Sequence, residues 1–211
     1  MKILVDKICK RIDGNVILDN VDMEFTDGNI YGFIGRNGSG KTMMMKIICG
    51  FVKPTSGNLT IDNMDVFSKG YFNNNIRALI EKPKFIGNLS GFENLKLLAS
   101  IGGNVSNEVL NYWFSRLNLD TERDKLYCKY SLGMKQKLGI IQALMDDAKI
   151  ILLDEPFSGI DDASVCVIRD ILLEEKKKGK IIVVSTHIRE DVDLLCDFVY
   201  YFDNGRVSLL D

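Results

Sequence analysis

Gly35-Arg36-Asn37-Gly38-Ser39-Gly40-Lys41-Thr42 constrains this chain more than any other stretch, because it fits the pattern GxxxxGK[ST] in one particular setting. The apolar run Ile30 to Ile34 precedes it directly, and the helix-forming stretch Met43 to Cys49 follows. A short, uninterrupted apolar run suits a strand covered on both faces. Strand, glycine turn and helix in that order open a parallel β-α-β crossover. Glycines let the turn curl until successive backbone N–H groups converge, and the helix N-terminus adds partial positive charge. Such a loop is built to hold phosphate, with Lys41 reaching the outer oxygens and the Thr42 hydroxyl holding magnesium. The competing reading is a glycine turn that happens to contain lysine. At a typical glycine frequency of ~7%, a chance match somewhere in such a chain is on the order of one in a hundred, and the flanking strand and helix lower that further.

Two more apolar runs, Ile150 to Leu153 and Ile181 to Val184, have the same character, and helical patterns separate all three. An α/β fold with a mainly parallel open sheet follows. The first thirty residues differ: Val16-Ile17-Leu18 and Val21-Asp22-Met23-Glu24-Phe25, with turn signals at Asp13-Gly14 and Asp27-Gly28, predict short antiparallel strands with one wet face. Between Pro83 and Tyr130 the texture turns helical. Ser90-Gly91-Phe92-Glu93 has capping-box form ahead of Asn94 to Leu98. A second helix starting near Ser106 places Val109, Leu110, Trp113, Phe114 and Leu117 on one face. Phe198 to Phe202, Asn204-Gly205 and Val207 to Leu210 predict a closing hairpin. The expected organisation is one domain: residues 1–82 the antiparallel β part and phosphate-loop core, 83–130 a helical insertion, 131–211 the remainder of the α/β core.

Composition excludes several classes. With 46% hydrophobic and 27% charged residues the chain is ordinary globular material. A net charge of -2 provides no global field to draw it onto nucleic acid, and none is expected as a partner. The run Lys176-Lys177-Lys178 reads as the solvated end of a helix. Five cysteines (Cys9, Cys49, Cys128, Cys166, Cys196) lie far apart without a CxxC pair, so buried free thiols are expected rather than disulfides or zinc. No apolar stretch approaches the roughly 20 residues of a membrane span. Asp6 interrupts the N-terminus too early for a secretory signal. A cytoplasmic chain is expected, with any membrane-spanning part in another polypeptide. The closing hairpin ends just before Asp211, and no regulatory C-terminal domain is expected within these residues.

The strand Ile150 to Leu153 runs into Asp154-Glu155. Beside a phosphate loop, the first acid is placed to hold magnesium through water, and the second to polarise an attacking water as general base. On these residues the sequence resembles the ABC ATPase family over essentially its whole length. Tyr130-Ser131-Leu132-Gly133-Met134-Lys135-Gln136 resembles the family's LSGGQ signature, with Leu132 and Met134 in place of Gly and Gln. Ser131 is also a suitable N-cap for a helix from Met134 to Met145. The resemblance implies that Ser131 and Gly133 contact the γ-phosphate of ATP held by an opposing subunit. It makes Ser158-Gly159-Ile160-Asp161 a loop crossing that dimer, and His187, the one histidine, a switch residue at the γ-phosphate. It further implies ATP and Mg2+ as cofactors, and a second ATPase subunit, identical or a close paralogue, packed head to tail. A transmembrane permease in a separate chain would hold the pair at the inner face of the cell membrane.

Two departures from the family pattern are informative. Aligning Ile76 to Pro83 puts Glu81 where the family usually has glutamine, and a carboxylate there can approach magnesium or its waters. Glu81, Pro83, Asn88-Leu89, Glu93-Asn94-Leu95 and the Ser-Leu-Gly-Met signature resemble the ATPases of lantibiotic and bacitracin immunity or resistance exporters, which implies a cargo of peptide antibiotics or hydrophobic drugs. Where family members stack adenine on an aromatic before the first hairpin turn, this chain has Ile12, beside Arg11. Loss of a stacked ring costs ~1–3 kcal/mol by analogy with other base–aromatic contacts, so weaker base discrimination is expected. The other function class is a soluble ABC ATPase of translation or DNA repair. A single set of motifs without long heptad arms favours the transporter subunit.

Overall fold

The computed structural model describes residues 1–68, 75–102 and 105–210, so Asp211 lies outside the described residues. β1 (Lys2–Ile12) and β2 (Asn15–Thr26) form an antiparallel ribbon. Asp13 and Gly14, at φ 48° and 82°, make the turn with two left-handed residues whose twist matches such a ribbon. These strands are longer than the short ones the sequence pattern predicts. Register shifts between Val5, Ile8, Lys10 and Arg11 interrupt the alternation, and bulges let one strand bend without ending. After β3 (Asn29–Gly35) and α1 (Lys41–Ile48), β4 (Ser56–Ile61) pairs with the free edge of β1, and β5 (Met64–Asp65) completes a sheet of order β2-β1-β4-β5.

The second sheet takes β6 (Ile76–Leu79), then, past the helices α2 (Gly91–Gly102), α3 (Asn107–Arg116) and α4 (Leu132–Leu144), β7 (Ile150–Asp154). α5 (Asp162–Lys177), β8 (Ile181–Ser185), α6 (Arg189–Leu195), β9 (Phe198–Asp203) and β10 (Arg206–Leu210) follow. Its order is β10-β9-β3-β8-β7-β6, parallel throughout except for β10. Every residue of β7 and β8 is buried, as their unbroken apolar runs require. The two-residue period divides the core. Ile150, Leu152, Ile181, Val183, Tyr31 and Phe33 face α1 and the antiparallel sheet. Ile30, Ile151, Leu153, Ile182 and Val184 face the layer of α3, α4 and α5. Phe33, Ser185 and Asp154 stand in register across β3, β8 and β7, so the phosphate loop and the acidic strand end leave the sheet side by side.

Helix starts follow their caps. Ser90 Oγ accepts from Glu93 N at 3.1 Å while Glu93 Oε2 accepts from Ser90 N at 2.7 Å, the reciprocal capping box ahead of α2. Ser106 caps α3, whose Leu110, Trp113, Phe114 and following Leu117 are buried. Val109, expected on the same face, is 37% exposed; it lies one step, about 100°, off the i, i+3, i+4, i+7 stripe. α4 starts at Leu132 and α1 at Lys41, each two residues before its predicted start. Asn204 and Gly205, at φ 48° and 80°, close the final hairpin.

Two surface expectations change. Cys128 and Cys166 are exposed, and Cys9, Cys49 and Cys196 are only partly buried, all five thiols being free. Cys166 falls on the outer side of α5, whose inner side carries Ile168, Ile171 and Leu172. The lysine run is not simply solvated: Lys176 pairs with Asp197, and Lys178 Nζ lies 2.6 Å from Glu175 Oε1. Among the described residues no helix is long and apolar enough to cross a membrane.

Candidate active site

The phosphate-loop sequence is forced by space as well as by φ. Gly35, Gly38 and Gly40 sit at φ 145°, 80° and 112°, where L side chains are strained. A Cβ on Gly35 would stand 2.3 Å from the Phe202 carbonyl oxygen, and one on Gly40 2.7 Å from Leu18 Cδ2. The loop is thus wedged between β9 and β2. Lys41 opens α1 with its side chain buried, and its Nζ donates to the carbonyls of Gly35 at 2.7 Å and Arg36 at 3.1 Å. Ser39 Oγ is buried in the same loop with no hydrogen-bond partner among the described residues. An orphaned buried hydroxyl costs about 1–3 kcal/mol, which an anion seated against it would relieve. The loop therefore fits a phosphate chain on its own geometry.

The acids meet this loop from β7. Asp154 is 7% exposed; its Oδ2 accepts from Thr42 Oγ1 at 2.7 Å and its Oδ1 from Ser185 Oγ at 2.5 Å. Two hydroxyls thus hold one carboxylate at the start of α1, the donor set of a hard divalent cation. Glu155 turns out of the strand at φ 48°, a left-handed conformation that costs a non-glycine residue ~1–3 kcal/mol. The surroundings hold it there. Its N–H faces both the Ser185 carbonyl, at 3.1 Å, and Ser185 Oγ, at 2.9 Å. Its Oε2 lies 2.9 Å from His187 Nδ1. Lys41, Thr42, Asp154 and Glu155, with Asn37, Gly38, Ser39, Gly40, Met43 and Ile17, line a cavity of about 420 Å³. His187 stands beyond it, with Gly35 and Arg36, on a neighbouring cleft of about 730 Å³.

Other expected residues lie outside that lining. Ile12 ends β1 opposite Asn15, 41% exposed, and the residue that reaches the cavity from this ribbon is Ile17. Ser131 caps α4, its Oγ accepting from Met134 N at 3.2 Å. Gly133 packs so closely that an added Cβ would stand 2.7 Å from the Gly159 carbonyl oxygen. Asp161 caps α5 through Ser164 N at 2.9 Å. Glu81 follows β6 at φ 61° and pairs at 2.5 Å with Lys46 in the last turn of α1, outside the lining that Thr42 and Asp154 share. That hydrogen bond, with the charge of Lys46 behind it, holds the Glu81 carboxyl below the usual range. Ile17, Lys46 and Ser185 have no signature of their own in the sequence. Ser185 alone carried a hint, as the polar residue between a buried strand and His187.

Residues 18–158 match the family described as ABC transporter. The chain belongs to the ABC transporter family, as an ATP-binding subunit. YybJ of Bacillus subtilis, an uncharacterized ABC transporter ATP-binding protein, is 37% identical over 95% of this chain and 92% of its own. The lantibiotic transport ATP-binding protein SrtF of Streptococcus pyogenes is 32% identical over 97% of this chain and 88% of its own. The bacitracin transport ATP-binding protein BcrA of Enterococcus faecalis is 31% identical over 96% of this chain, but over only 66% of its own length. Among solved structures, the ATP-binding subunit of an ABC transporter superposes with a TM-score of 0.90 at 25% identity, covering 100% of this chain and 90% of that one. The dimeric cassette MJ0796, bound to ADP and phosphate, shares the fold with a TM-score of 0.88 at 23% identity, covering 99% and 98%. As an ABC ATPase the chain hydrolyses ATP, and cassettes of this family dimerise and pair with the membrane components of transporters. The relatives named here are all transport or transporter ATP-binding proteins rather than proteins of translation or repair.

Proposed function

We propose that this chain powers the export of peptide antibiotics of the bacitracin or lantibiotic kind, through a permease in a separate membrane-spanning chain. The observation that carries the catalytic part is the 2.7 Å hydrogen bond from Thr42 Oγ1 to Asp154 Oδ2, which joins the phosphate loop to the acidic strand end. ATP lies along the loop, its β- and γ-phosphates taking the N–H groups from Arg36 to Thr42, and Lys41 exchanges two backbone carbonyls for phosphate oxygens. Thr42 and Asp154 would hold Mg2+, and Glu81 would have to part from Lys46 to take any share in its site. The ion, when bound, draws charge from the phosphate oxygens. Glu155 orients a water whose oxygen attacks the γ-phosphorus in line. As that bond forms, the bond to the β–γ bridging oxygen breaks. The water's proton passes to Glu155, and the electron pair leaves with ADP. His187 steadies the carboxylate and turns toward the γ-phosphate.

In this reading a second subunit, packed head to tail, brings its Ser131 and Gly133 onto the γ-phosphate, and Ile12 lies beside the base. Residues 83–130 form the insertion that carries motion to the permease at the inner face of the membrane. Glu81 at the usual glutamine position, the Ser-Leu-Gly-Met signature, and the likeness to SrtF and BcrA support the antibiotic class. The test uses the Glu155→Gln variant. In vitro it should bind ATP as the wild type does while turning over ~10²–10⁴-fold more slowly, the contribution of a positioned base. Lys41→Ala should instead weaken nucleotide binding. In the native host, Glu155→Gln should sensitise cells to bacitracin or to lanthionine peptides. Unchanged sensitivity across both classes would remove the antibiotic reading and leave the ATPase.

A further inference from the structure

Gln136 closes the stretch that resembles the signature but has been given no role so far, and its side chain touches Glu155, which sits at φ 48°. It sits in the second turn of α4, 6% exposed, and its Nε2 donates to the carbonyls of Glu155 at 3.1 Å and Pro156 at 3.3 Å. Both partners are carbonyls, so the side chain must present donors here, and both hydrogens of the amide are used. The Glu155 carbonyl also accepts from Ser158 N at 3.2 Å, but Gln136 is the side chain that ties it, with the Pro156 carbonyl, to α4. Pro156 has no N–H to donate. The Glu155 N–H is already committed to Ser185 on β8.

The contact is one of three on the same face of the helix. Gly133, Gln136 and Lys137 are spaced i, i+3, i+4. Gly133 lies against the Gly159 carbonyl, and Lys137 Nζ is 3.6 Å from Asp161 Oδ2. One face of α4 thus holds the segment 155–161 at its start, middle and end, while Ser131 caps the same helix.

We propose that Gln136 is a positioning residue for ATP hydrolysis. Its amide clamps the Glu155–Pro156 backbone, keeps Glu155 in its left-handed conformation and so aims the carboxylate. It also makes Glu155 and the Ser131 end of α4 parts of one rigid unit, so that a push on the signature helix reaches the base of its own subunit. Without the amide, Glu155 relaxes out of the left-handed region and its carboxylate swings away from His187. The proposal rests on Glu155 being the base.

The full chain carrying Gln136→Leu, Gln136→Glu or Glu155→Gln is compared with the wild type for steady-state hydrolysis and for equilibrium ATP binding. Gln136→Leu should lower kcat about tenfold or more, part of the ~10²–10⁴-fold a positioned base supplies, with ATP affinity unchanged. Gln136→Glu separates positioning from packing. Ionised, the introduced carboxylate repels both carbonyls; protonated, it donates to one of them. Its kcat relative to the wild type at the same pH should therefore climb as the pH is lowered. Wild-type kcat in Gln136→Leu, or a defect in Gln136→Glu with no pH-dependent recovery, would overturn the proposal, the second even if Gln136→Leu fails to fold. A Glu155→Gln chain hydrolysing at the wild-type rate would overturn the base assignment as well. An inactive Glu155→Gln beside a fully active Gln136→Leu would overturn the role of Gln136 alone.

Discussion

Cys49 shows how far burial alone can change a side chain's chemistry, and Cys196 how burial and nearby charge combine. Cys49 directly follows α1 and Cys196 follows α6, and burial pushes both thiols up to about 12. For Cys196 the negative charges of Asp197 and Asp191 act in the same direction. Only the thiolate is nucleophilic, so at pH 8 each exposes about one reactive molecule in ten thousand. Cys128 and Cys166 are open to solvent. Iodoacetamide at pH 8 should therefore label Cys128 and Cys166 in the native chain and reach Cys49 and Cys196 only after denaturation, as peptide mass mapping would record. Equal native labelling of Cys49 and Cys166 would mean that the end of α1 opens readily. At this scale the sequence is legible where a residue's placement is a matter of type and immediate neighbours, as for Lys41, Thr42 and Asp154, which line one cavity. It is illegible for Lys46 and Ile17, whose importance comes from what the fold sets opposite them.

Helix starts were the most readable elements, because a cap involves residues three apart and needs nothing from the rest of the chain. The Ser90–Glu93 box and the Ser106 and Ser131 caps all stand where the sequence predicts them. Ser90→Ala removes one side of a reciprocal pair and should cost about 1 kcal/mol, lowering Tm by roughly 2–4 °C in a chain of this size. Calorimetry of the variant measures it. An unchanged Tm would mean that Asn94, which donates to the carbonyls of Ile86 and Ser90, holds the turn by itself. Strand lengths were less readable. β1 and β2 run on through bulges, and each bulge shifts the alternation that marks a strand by one residue. On α3 the stripe was recognised, but its width was overdrawn by Val109.

For the whole molecule, the telling feature is that the exposed Ser131 and the half-buried Gly133 stand outside the cavity that the phosphate loop lines in the same chain. A head-to-tail pairing would bring them onto a partner's nucleotide. The Glu155→Gln chain should accordingly double its mass in light scattering when ATP is added, and Ser131→Arg should abolish the doubling without weakening ATP binding. Doubling that survives Ser131→Arg would exclude this mode of pairing. The α/β class, the glycine loop between β3 and α1, the capped helices and the closing hairpin were all determined by the sequence by itself. Each depends on periodicity or on residues a few positions apart, where local sterics and hydrogen bonding decide. Tertiary structure alone decided that Thr42 meets Asp154 across 112 residues, that Ser185 stands between two strands to hold both acids, that Glu81 pairs with Lys46, and that Gln136 grips Glu155. Those meetings depend on strand order, on register and on which face a helix turns inward. Packing of the assembled core sets all three, and no pattern within a single segment encodes them.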